Sequence, residues 1–171
     1  MWAALVDTPR LHQEIVGVWG KDVFGIDMSA IRPTAVNTWC KSRIRPPQLV
    51  TSPECWAVLD YAVLQSPHVR GDAAWEIRDD RTAHGIGVWF DWEGAQAVAF
   101  SNSPLSSERH IFGQAFFPWP EPLDLCRGDE VRVSCVRTQS GRNMSTGGRL
   151  SSAASTAERR PRSISRTFSE P

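Results

Sequence analysis

The sequence has no long run of apolar residues, and this absence excludes a large class of proteins. None of its apolar stretches approaches the roughly 20 residues that a membrane-spanning helix needs. The opening segment, MWAALVDTPR, lacks the positive charge and the long apolar core of a secretory signal peptide. We therefore expect a globular protein in the cytoplasm, or in the nucleus if the source is a eukaryote.

The sequence also lacks the cysteine spacing of common zinc sites. Its four cysteines form no Cys-x-x-Cys pair and have no paired histidines nearby; they are Cys40, Cys55, Cys126 and Cys135. We expect free thiols and no metal, with Cys55 and Cys135 buried because both lie in strand-like runs. Unpaired cysteines in turn favour a reducing compartment.

Charge is distributed unevenly although the totals cancel. Of the 19 basic and 19 acidic residues, 12 and 17 lie in residues 1–136, which leaves seven arginines and two glutamates in 137–171. This tail is rich in Ser, Thr, Gly and Arg, and its apolar surface is too small to offset the entropy of ordering. We predict a disordered tail that is open to phosphorylation and binds nucleic acid only weakly, by electrostatics.

Two short helices are predicted near the N-terminus, after an apolar strand at Trp2–Val6. Apolar residues recur at helical spacing in Pro9–Trp19 and in Met28–Trp39, where Pro33 disturbs the first turns of the second helix. Such helices need a surface against which to bury their apolar stripes. That surface is either one end of the chain's own sheet or another polypeptide, and the sequence leaves both readings open.

The remainder of the chain up to residue 136 is typical of short antiparallel strands. Three central strands are separated by Gly94 and by the turn Ser101–Pro104; they are His84–Trp92, Ala95–Phe100 and His110–Phe117. Further strands are predicted at Gln48–Ser52, Cys55–Leu64, Ala73–Arg78 and Val131–Val136. The proline-rich run Pro118–Pro122 is expected to be a loop or an edge. The sequence thus predicts a mainly β, antiparallel, barrel-like domain with a short helical arm and a disordered C-terminal tail.

Several of these segments together resemble the C-terminal β-barrel of the protein arginine methyltransferases. The matching segments are His84-Gly85, Trp89-Phe90, Phe100-Ser101-Asn102-Ser103-Pro104 and Gln114-Ala115-Phe116-Phe117. Upstream, Trp19 and Val23–Ser29 resemble the segment that leads through the family's dimerisation arm, and Gln48–Thr51 resembles the start of the barrel. The likeness covers residues 2–136, with the segments in the family's order.

The resemblance implies a division of the chain into four parts. Residues 1–11 are an entry strand and the start of the arm, 12–42 the helical dimerisation arm, 43–136 the barrel and 137–171 the tail. The arm residues that it implies are Leu11, Ile15, Trp19, Phe24, Met28 and Ile31. The family continues with further strands beyond this point, so we expect an incomplete barrel with an open edge.

The resemblance also implies a substrate groove formed by His110, Ile111, Phe112 and Gln114. In relatives a Thr-His-Trp element precedes the glutamine, whereas His110, Ile111 and Phe112 fill the aligned positions here. Because isoleucine neither donates nor accepts a proton, the groove must differ in detail. His110 lies one position early and is either a spatial replacement or an ordinary solvated histidine.

The sequence lacks the cofactor machinery of such an enzyme. Binding S-adenosylmethionine takes a glycine-rich turn after a strand and an acidic residue for the ribose, and binding the target arginine takes a pair of glutamates. We find neither, so we expect no cofactor and no catalytic residue in this chain. The resemblance implies methyl transfer to an arginine-containing protein substrate only when a cofactor-binding half or a second subunit joins it.

The alternative function is a non-catalytic β-module that binds a ligand or a protein through exposed aromatic residues. Its platform would consist of Trp75, Trp89, Trp92 and Trp119. Most tryptophans in a chain of this size are nevertheless buried, because each offers a large area to the core.

A set of acidic residues near the central strands also has two readings. The set consists of Asp79, Asp80, Asp91 and Glu93. It would either attract a cationic, arginine-rich substrate by electrostatic steering or form a solvated turn face, which is the commoner case.

Overall fold

The computed structural model describes residues 1–20, 25–66, 68–94, 98–108 and 111–137, and most of this part is β-structure. Its strands are β1 (Trp2–Val6), β2 (Cys40–Ser42), β3 (Glu54–Cys55), β4 (Val69–Glu76), β5 (Arg81–Trp89), β6 (Asp91–Glu93), β7 (Ala99–Ser101), β8 (Gln114–Leu125) and β9 (Glu130–Arg137). The helices are α1 (Pro9–Ile15) and α2 (Arg32–Val36), with 3₁₀ turns at Gly17–Trp19, Ser29–Ile31 and Pro46–Gln48. Within these ranges no helix has the length and apolar character needed to cross a membrane.

The largest element is a five-stranded sheet with the order β2-β8-β5-β1-β3, and β4–β9 and β6–β7 form two further pairs. Every pairing within these sheets is antiparallel. Strand β5 is central, with β1 on one side and β8 on the other, and its residues 83–89 are all buried. A strand that is buried on both faces is expected to have a nearly continuous apolar sequence. The mainly β, antiparallel fold that the sequence predicts is therefore confirmed.

The main core lies between the five-stranded sheet and the β4–β9 pair. Leu5 and Phe117 from the sheet share one buried cluster with Trp75 and Val131 from the pair. Along β4 the side chains alternate, so that Ala73 and Trp75 are buried and their neighbours are exposed. Full burial of each large apolar side chain contributes roughly 1.5–3 kcal/mol relative to exposure. This shared core makes the two sheets one packing unit.

Strand β8 runs through the proline-rich segment, where a loop or an edge was predicted. Its ladder with β5 passes from the pair Gly85–Pro118 to the pair Ala83–Leu123, so residues 119–122 bulge out of register. Proline removes N–H donors from this bulge but leaves its carbonyl groups. Residues 119–122 form no ladder pair, as expected of an edge, but the strand continues through them and the arm lies against their carbonyl groups. His12 Nε2 lies 2.8 Å from the Trp119 carbonyl oxygen, and Arg32 Nη2 donates to that of Pro120 at 2.8 Å.

The helical arm is shorter and more irregular than predicted. Helix α1 ends at Ile15 and gives way to a 3₁₀ turn, and α2 spans only Arg32–Val36 because Pro33 occupies its first turn and no side chain caps it. Strand β2 (Cys40–Ser42) follows directly after the predicted helix, inside the range 12–42 assigned to the arm, and pairs with β8. The arm is thus bounded on both sides by strands of the main sheet.

Two predicted strands, Gln48–Ser52 and Cys55–Leu64, are wrong in most of their length. Near the first, Leu49 forms a single bridge with Val6 after the 3₁₀ turn at Pro46–Gln48. The second is reduced to β3, because Pro53 interrupts the chain before it and Asp60 organises a turn after it. The Asp60 carboxylate accepts a hydrogen bond from the Ala62 N–H at 2.9 Å. Such local bonds compete with strand pairing.

The four cysteines are free thiols, as predicted, but their burial differs from the prediction. Cys55 is exposed at the end of β3, and Cys135 in β9 is half-buried. Burial raises the pKa of Cys135 to about 12 and that of Cys40 to about 11. Both thiols are therefore held in the unreactive, protonated form.

Candidate substrate groove

A groove of about 800 Å³ lies where three connecting segments meet beside the main sheet. One segment follows β2, the second is the turn that follows β7, and the third is the start of β8. Its walls include Arg43, Ile44, Arg45, Pro46, Pro47, Asn102, Ser103, Pro104, Ser106, Ser107, Glu108, Phe112, Gly113 and Gln114. The groove therefore joins residues that are 70 positions apart in sequence.

The groove is held in shape by two buried side-chain amides, those of Gln114 and Asn102. Gln114 Nε2 donates to the Asn102 carbonyl at 2.6 Å, and its Oε1 accepts from the Ile44 N–H at 2.9 Å. Asn102 Nδ2 donates to the Gly113 carbonyl at 2.7 Å, and its Oδ1 accepts from the Phe90 N–H at 2.9 Å. We call this pair the amide tie. Because both ends of each amide are occupied, the tie fixes the three segments relative to one another.

The turn after β7 is built from short polar side chains that bond their own backbone, as its sequence predicts. Ser101 Oγ accepts from the Ser103 N–H, and Ser103 Oγ accepts from the Leu105 N–H, both at 3.1 Å. Ser106 Oγ accepts from the Glu108 N–H at 3.2 Å. Pro104 is buried at the centre of the turn. One wall of the groove is therefore rigid without help from a regular sheet.

Comparison with known proteins decides the family. A family model described as the arginine methyltransferase oligomerization subdomain matches residues 1–148. The chain belongs to the protein arginine methyltransferase family. A curated relative, protein arginine N-methyltransferase 1 of Dictyostelium discoideum, is 23% identical over 136 residues, which cover 77% of this chain and 39% of that protein.

Solved structures of arginine methyltransferases share the fold. One is the PRMT1 enzyme–prozyme heterotetrameric complex of Trypanosoma brucei with AdoHcy, with a TM-score of 0.65 and 14% identity over 82% of this chain and 47% of that chain. Another is protein arginine methyltransferase 10 of Arabidopsis thaliana, with a TM-score of 0.57 and 15% identity over 83% of this chain and 50% of that chain. The chain thus spans about half, or less, of the length of these arginine methyltransferases.

The predicted groove residues of this arginine methyltransferase chain lie at different positions relative to the groove. Phe112 lines the groove with 55% of its surface exposed, and its ring meets that of Phe100 edge-on at 5.6 Å. Gln114 belongs to the amide tie and is buried. Ile111 is 77% exposed beside the groove, and its carbonyl accepts from Lys41 Nζ at 2.7 Å. His110 lies outside the described residues, so its role stays a prediction.

Sequence reasoning named only Phe112 and Gln114 among the residues that line the groove, and the most important of those it missed are Asn102, Arg43 and Arg45. Asn102 was quoted in the turn and in the family-like segment but not as a site residue, because its bonds to distant residues leave no pattern in sequence. The two arginines do leave a signal. Lys41, Arg43 and Arg45 are exposed and alternate with the buried Ser42 and Ile44, which is the pattern of a strand with one polar face.

The predicted arm residues are only partly covered. Leu11 and Ile15 pack against a small core of Val6, Ile44 and Phe116. Trp19 and Met28 are half-buried, and Ile31 is 37% exposed. Phe24 lies outside the described residues. Three further apolar residues of the arm, outside the set that the resemblance implies, are exposed: Val18 at 39%, Ile26 at 61% and Trp39 at 37%.

A buried histidine pair connects the arm to the sheet. The rings of His12 and His84 meet edge-on at 5.6 Å. His84 Nδ1 lies 3.3 Å from the Thr8 N–H and 3.2 Å from Asp7 Oδ1. Burial lowers the pKa of His84, and this effect outweighs the opposing effect of the Asp7 carboxylate. The neutral ring therefore accepts the Thr8 hydrogen bond, and the pair stabilises the junction.

The aromatic platform of the alternative function is not present in the structure. Trp75, Trp89 and Trp119 are 4%, 3% and 8% exposed, so these three tryptophans are core residues, and only Trp92 of the four is exposed. Trp75 and Trp119 fill the shared core, and Trp89 is buried at the end of β5. This prediction is therefore wrong for three of its four residues.

Two of the four acidic residues near the central strands accept hydrogen bonds within the chain. Asp80 Oδ1 accepts from the Arg127 N–H at 2.7 Å, and Asp91 Oδ1 accepts from Ser101 Oγ at 2.5 Å. All four are exposed. Among the residues that the structure describes, no cluster of His, Cys, Asp and Glu is arranged to hold a metal ion.

Proposed function

We propose that this chain is the substrate-binding and dimerisation barrel of an S-adenosylmethionine-dependent protein arginine methyltransferase. Joined to a cofactor-binding half or subunit, it supports methyl transfer to an arginine side chain in a protein. The observation that carries the proposal is the groove fixed by the amide tie. Both of its amides come from the two segments that carry the family likeness, the turn after β7 and the start of β8.

The role of the groove in this proposal is to position a substrate and not to perform the chemistry. The described residues that line it carry two guanidinium groups and one carboxylate, those of Arg43, Arg45 and Glu108. A guanidinium cannot serve as a base near neutral pH, and a single carboxylate cannot form the paired clamp that orients an arginine. A rigid wall that holds a peptide in place contributes through proximity and orientation.

The residues of the groove do not fit S-adenosylmethionine. The methyl donor needs a glycine-rich turn between a strand and a helix, where backbone N–H groups and an acidic residue hold the nucleoside. The groove is bounded by a serine-rich turn, by the segment that follows β2 and by the start of β8, and neither a long helix nor a glycine-rich turn forms its wall in the described part of the chain. We therefore assign the cofactor to the partner in this proposal.

The exposed apolar residues of the arm support the dimerisation role. Val18, Ile26 and Ile31 remain exposed although Leu11 and Ile15, in the same arm, pack on the sheet. Exposed apolar side chains that gather in one segment are expected of a surface that binds another polypeptide. The description of the matching family model as an oligomerization subdomain points to the same role.

A co-expression experiment tests the proposal. The full chain is expressed with the S-adenosylmethionine-binding half of an arginine methyltransferase, and methyl transfer to arginine-containing peptides is followed with a labelled methyl donor. We expect label on arginine for the purified pair and none for either part alone. A chain that methylates peptides by itself, or a stable pair that transfers no methyl group, would contradict the proposal.

A further inference from the structure

The groove has a basic rim that stands out in an otherwise acidic body. Between Asp27 and Glu54 the sequence contains no acidic residue, although residues 1–136 contain 17 acidic residues in all. Three cations follow one another within this interval at every second position. We define Lys41, Arg43 and Arg45 as the basic rim.

The alternation of the rim is a consequence of the local fold. Ser42 and Ile44 are buried and point the other way, and Arg45 is itself extended, with φ −100° and ψ 152°. Alternate side chains of an extended chain lie roughly 6.6–6.8 Å apart on one face. An extended peptide that runs alongside has the same spacing, so each of its alternate side chains can contact one cation of the rim.

The rim is available for a ligand. Arg43 and Arg45 line the groove, and none of the ion pairs between described residues involves either guanidinium. The third cation, Lys41, does not line the groove; it donates to the carbonyl of Ile111, the neighbour in sequence of the lining residue Phe112. Glu108 is the sole carboxylate among the described residues of the wall, so the wall carries a net positive charge.

The strand that carries the start of the rim also offers backbone groups. Strand β2 is the outermost strand of the five-stranded sheet, and within the described residues nothing pairs with its outer edge. An open edge of this kind takes an added strand through main-chain hydrogen bonds, while side-chain contacts supply the selectivity.

From these observations we propose that the groove selects an extended peptide in which the residues that flank the target arginine are acidic. The inference rests on the proposed function, since it names the substrate class of the same groove. Carboxylate and phosphate groups share the recognising chemistry, because guanidinium groups form charge-assisted hydrogen bonds with both. The competing explanation is that the rim only protects an edge strand from pairing with other chains.

Binding of fluorescent peptides to the full chain tests the inference without any need for methyl transfer. Four peptides share a central arginine and differ only at the flanking positions, which carry glutamate, glutamine, phosphoserine or lysine. We expect the glutamate and phosphoserine peptides to bind at least about tenfold more tightly than the glutamine peptide, and the lysine peptide to bind most weakly. Added salt should reduce this preference. Comparing the affinities of the glutamate and phosphoserine peptides shows which of the two anionic groups the site prefers.

Reversing the charge of the two groove arginines then tests whether they cause the preference for acidic peptides. The double substitution Arg43→Glu and Arg45→Glu should abolish it, whereas Arg70→Glu with Arg78→Glu, the same charge change at two exposed arginines elsewhere, should leave it intact. Equal binding of the glutamate and glutamine peptides, no binding of any peptide, or a preference that survives reversal at Arg43 and Arg45 would overturn the inference. Methyl transfer by the co-expressed pair to glutamine-flanked and glutamate-flanked peptides alike would overturn it while leaving the proposed function in place.

Discussion

The groove and the arm differ in how their chemical groups are satisfied. In the groove, the amides of Asn102 and Gln114 find all their partners within the chain. In the arm, Leu11 and Ile15 pack on the sheet, whereas Val18, Ile26 and Ile31 face outward. The groove amides are therefore satisfied by this chain alone, whereas we propose that another polypeptide covers the exposed apolar residues of the arm.

The difference between the groove and the arm follows from their chemistry, since the groove is built on buried amides and the arm carries exposed apolar side chains. A buried amide without a partner costs about 1–3 kcal/mol, so a groove built on amides must be satisfied as soon as the chain folds. An exposed isoleucine costs much less, and scattered exposed apolar residues are common in folded proteins. An arm can thus carry an unfinished apolar surface without unfolding the domain.

The largest effect is expected when the amide tie is broken. The substitution Gln114→Leu removes the donor to the Asn102 carbonyl and the acceptor for the Ile44 N–H, and leaves both groups buried and unpaired. We expect a loss of about 3 kcal/mol in the free energy of unfolding, measured by urea denaturation. The exposed Gln65→Leu serves as the control and should change stability little. Equal stability of the two variants would show that the groove does not depend on the tie.

A somewhat smaller effect is expected at Gly85, where β5 and β8 approach most closely. A Cβ at this position would overlap the Phe117 carbonyl oxygen and lie 2.8 Å from the ring of Phe116. We expect Gly85→Ala to cost about 1–3 kcal/mol, because a packed core resists added atoms. Gly20→Ala is the control, since its added Cβ would meet only the Gly17 carbonyl oxygen at 3.4 Å. Similar melting temperatures for the two variants would contradict the packing described for this ladder.

A modest pH dependence of the free energy of unfolding is expected from His84, which lies at the junction between the arm and the main sheet. The pKa of His84 lies below its ordinary value of 6.5 in the folded chain, so the unfolded chain binds its proton first as the pH falls. Stability should therefore decrease as the pH drops through 6.5 and continue to decrease down to the folded pKa. His84→Asn should flatten this part of the profile of unfolding free energy against pH. An unchanged slope in that variant would show that His84 does not titrate between the two states.

Local chemistry explains the parts of the fold that the sequence predicted well. The turn at Ser101–Pro104 depends on neighbouring residues and appears as predicted. The strand predicted at His84–Trp92 is present with shifted bounds, as β5 (Arg81–Trp89). The order of the main sheet and the amide tie depend on partners far away in sequence, so no short pattern indicates them. The segment Cys55–Leu64 looked like a strand because its apolar content was high, but Val58, Tyr61 and Val63 are exposed and unpaired within the described residues.

Part of the candidate site was also predictable, and part was not. Phe112 and Gln114 were named from their position in a resembling segment, and both lie at the groove. The basic rim was visible as alternating charge but was not recognised, since three cations in a short connector are commonly a solvated edge. The arm contacts at Trp119 and Pro120 were missed because a proline-rich run was judged by the donors it lacks and not by the carbonyls it keeps.

The smallest effect on stability, and the sharpest test of the comparison, is expected in the arm. Ile26→Ser with Ile31→Ser should change the free energy of unfolding of the isolated chain by no more than about 0.5 kcal/mol, because both side chains are exposed. The matched control is Val58→Ser with Val63→Ser, which alters two residues of similar character that lie outside the arm and are 84% and 70% exposed.

The most direct measurement is the molar mass, by light scattering, of the full chain mixed with an S-adenosylmethionine-binding half of an arginine methyltransferase. We predict that the unmodified chain and the Val58/Val63 variant form a complex and that the Ile26/Ile31 variant does not. A complex of unchanged mass and affinity with the Ile26/Ile31 variant would contradict the claim that a second polypeptide completes the arm.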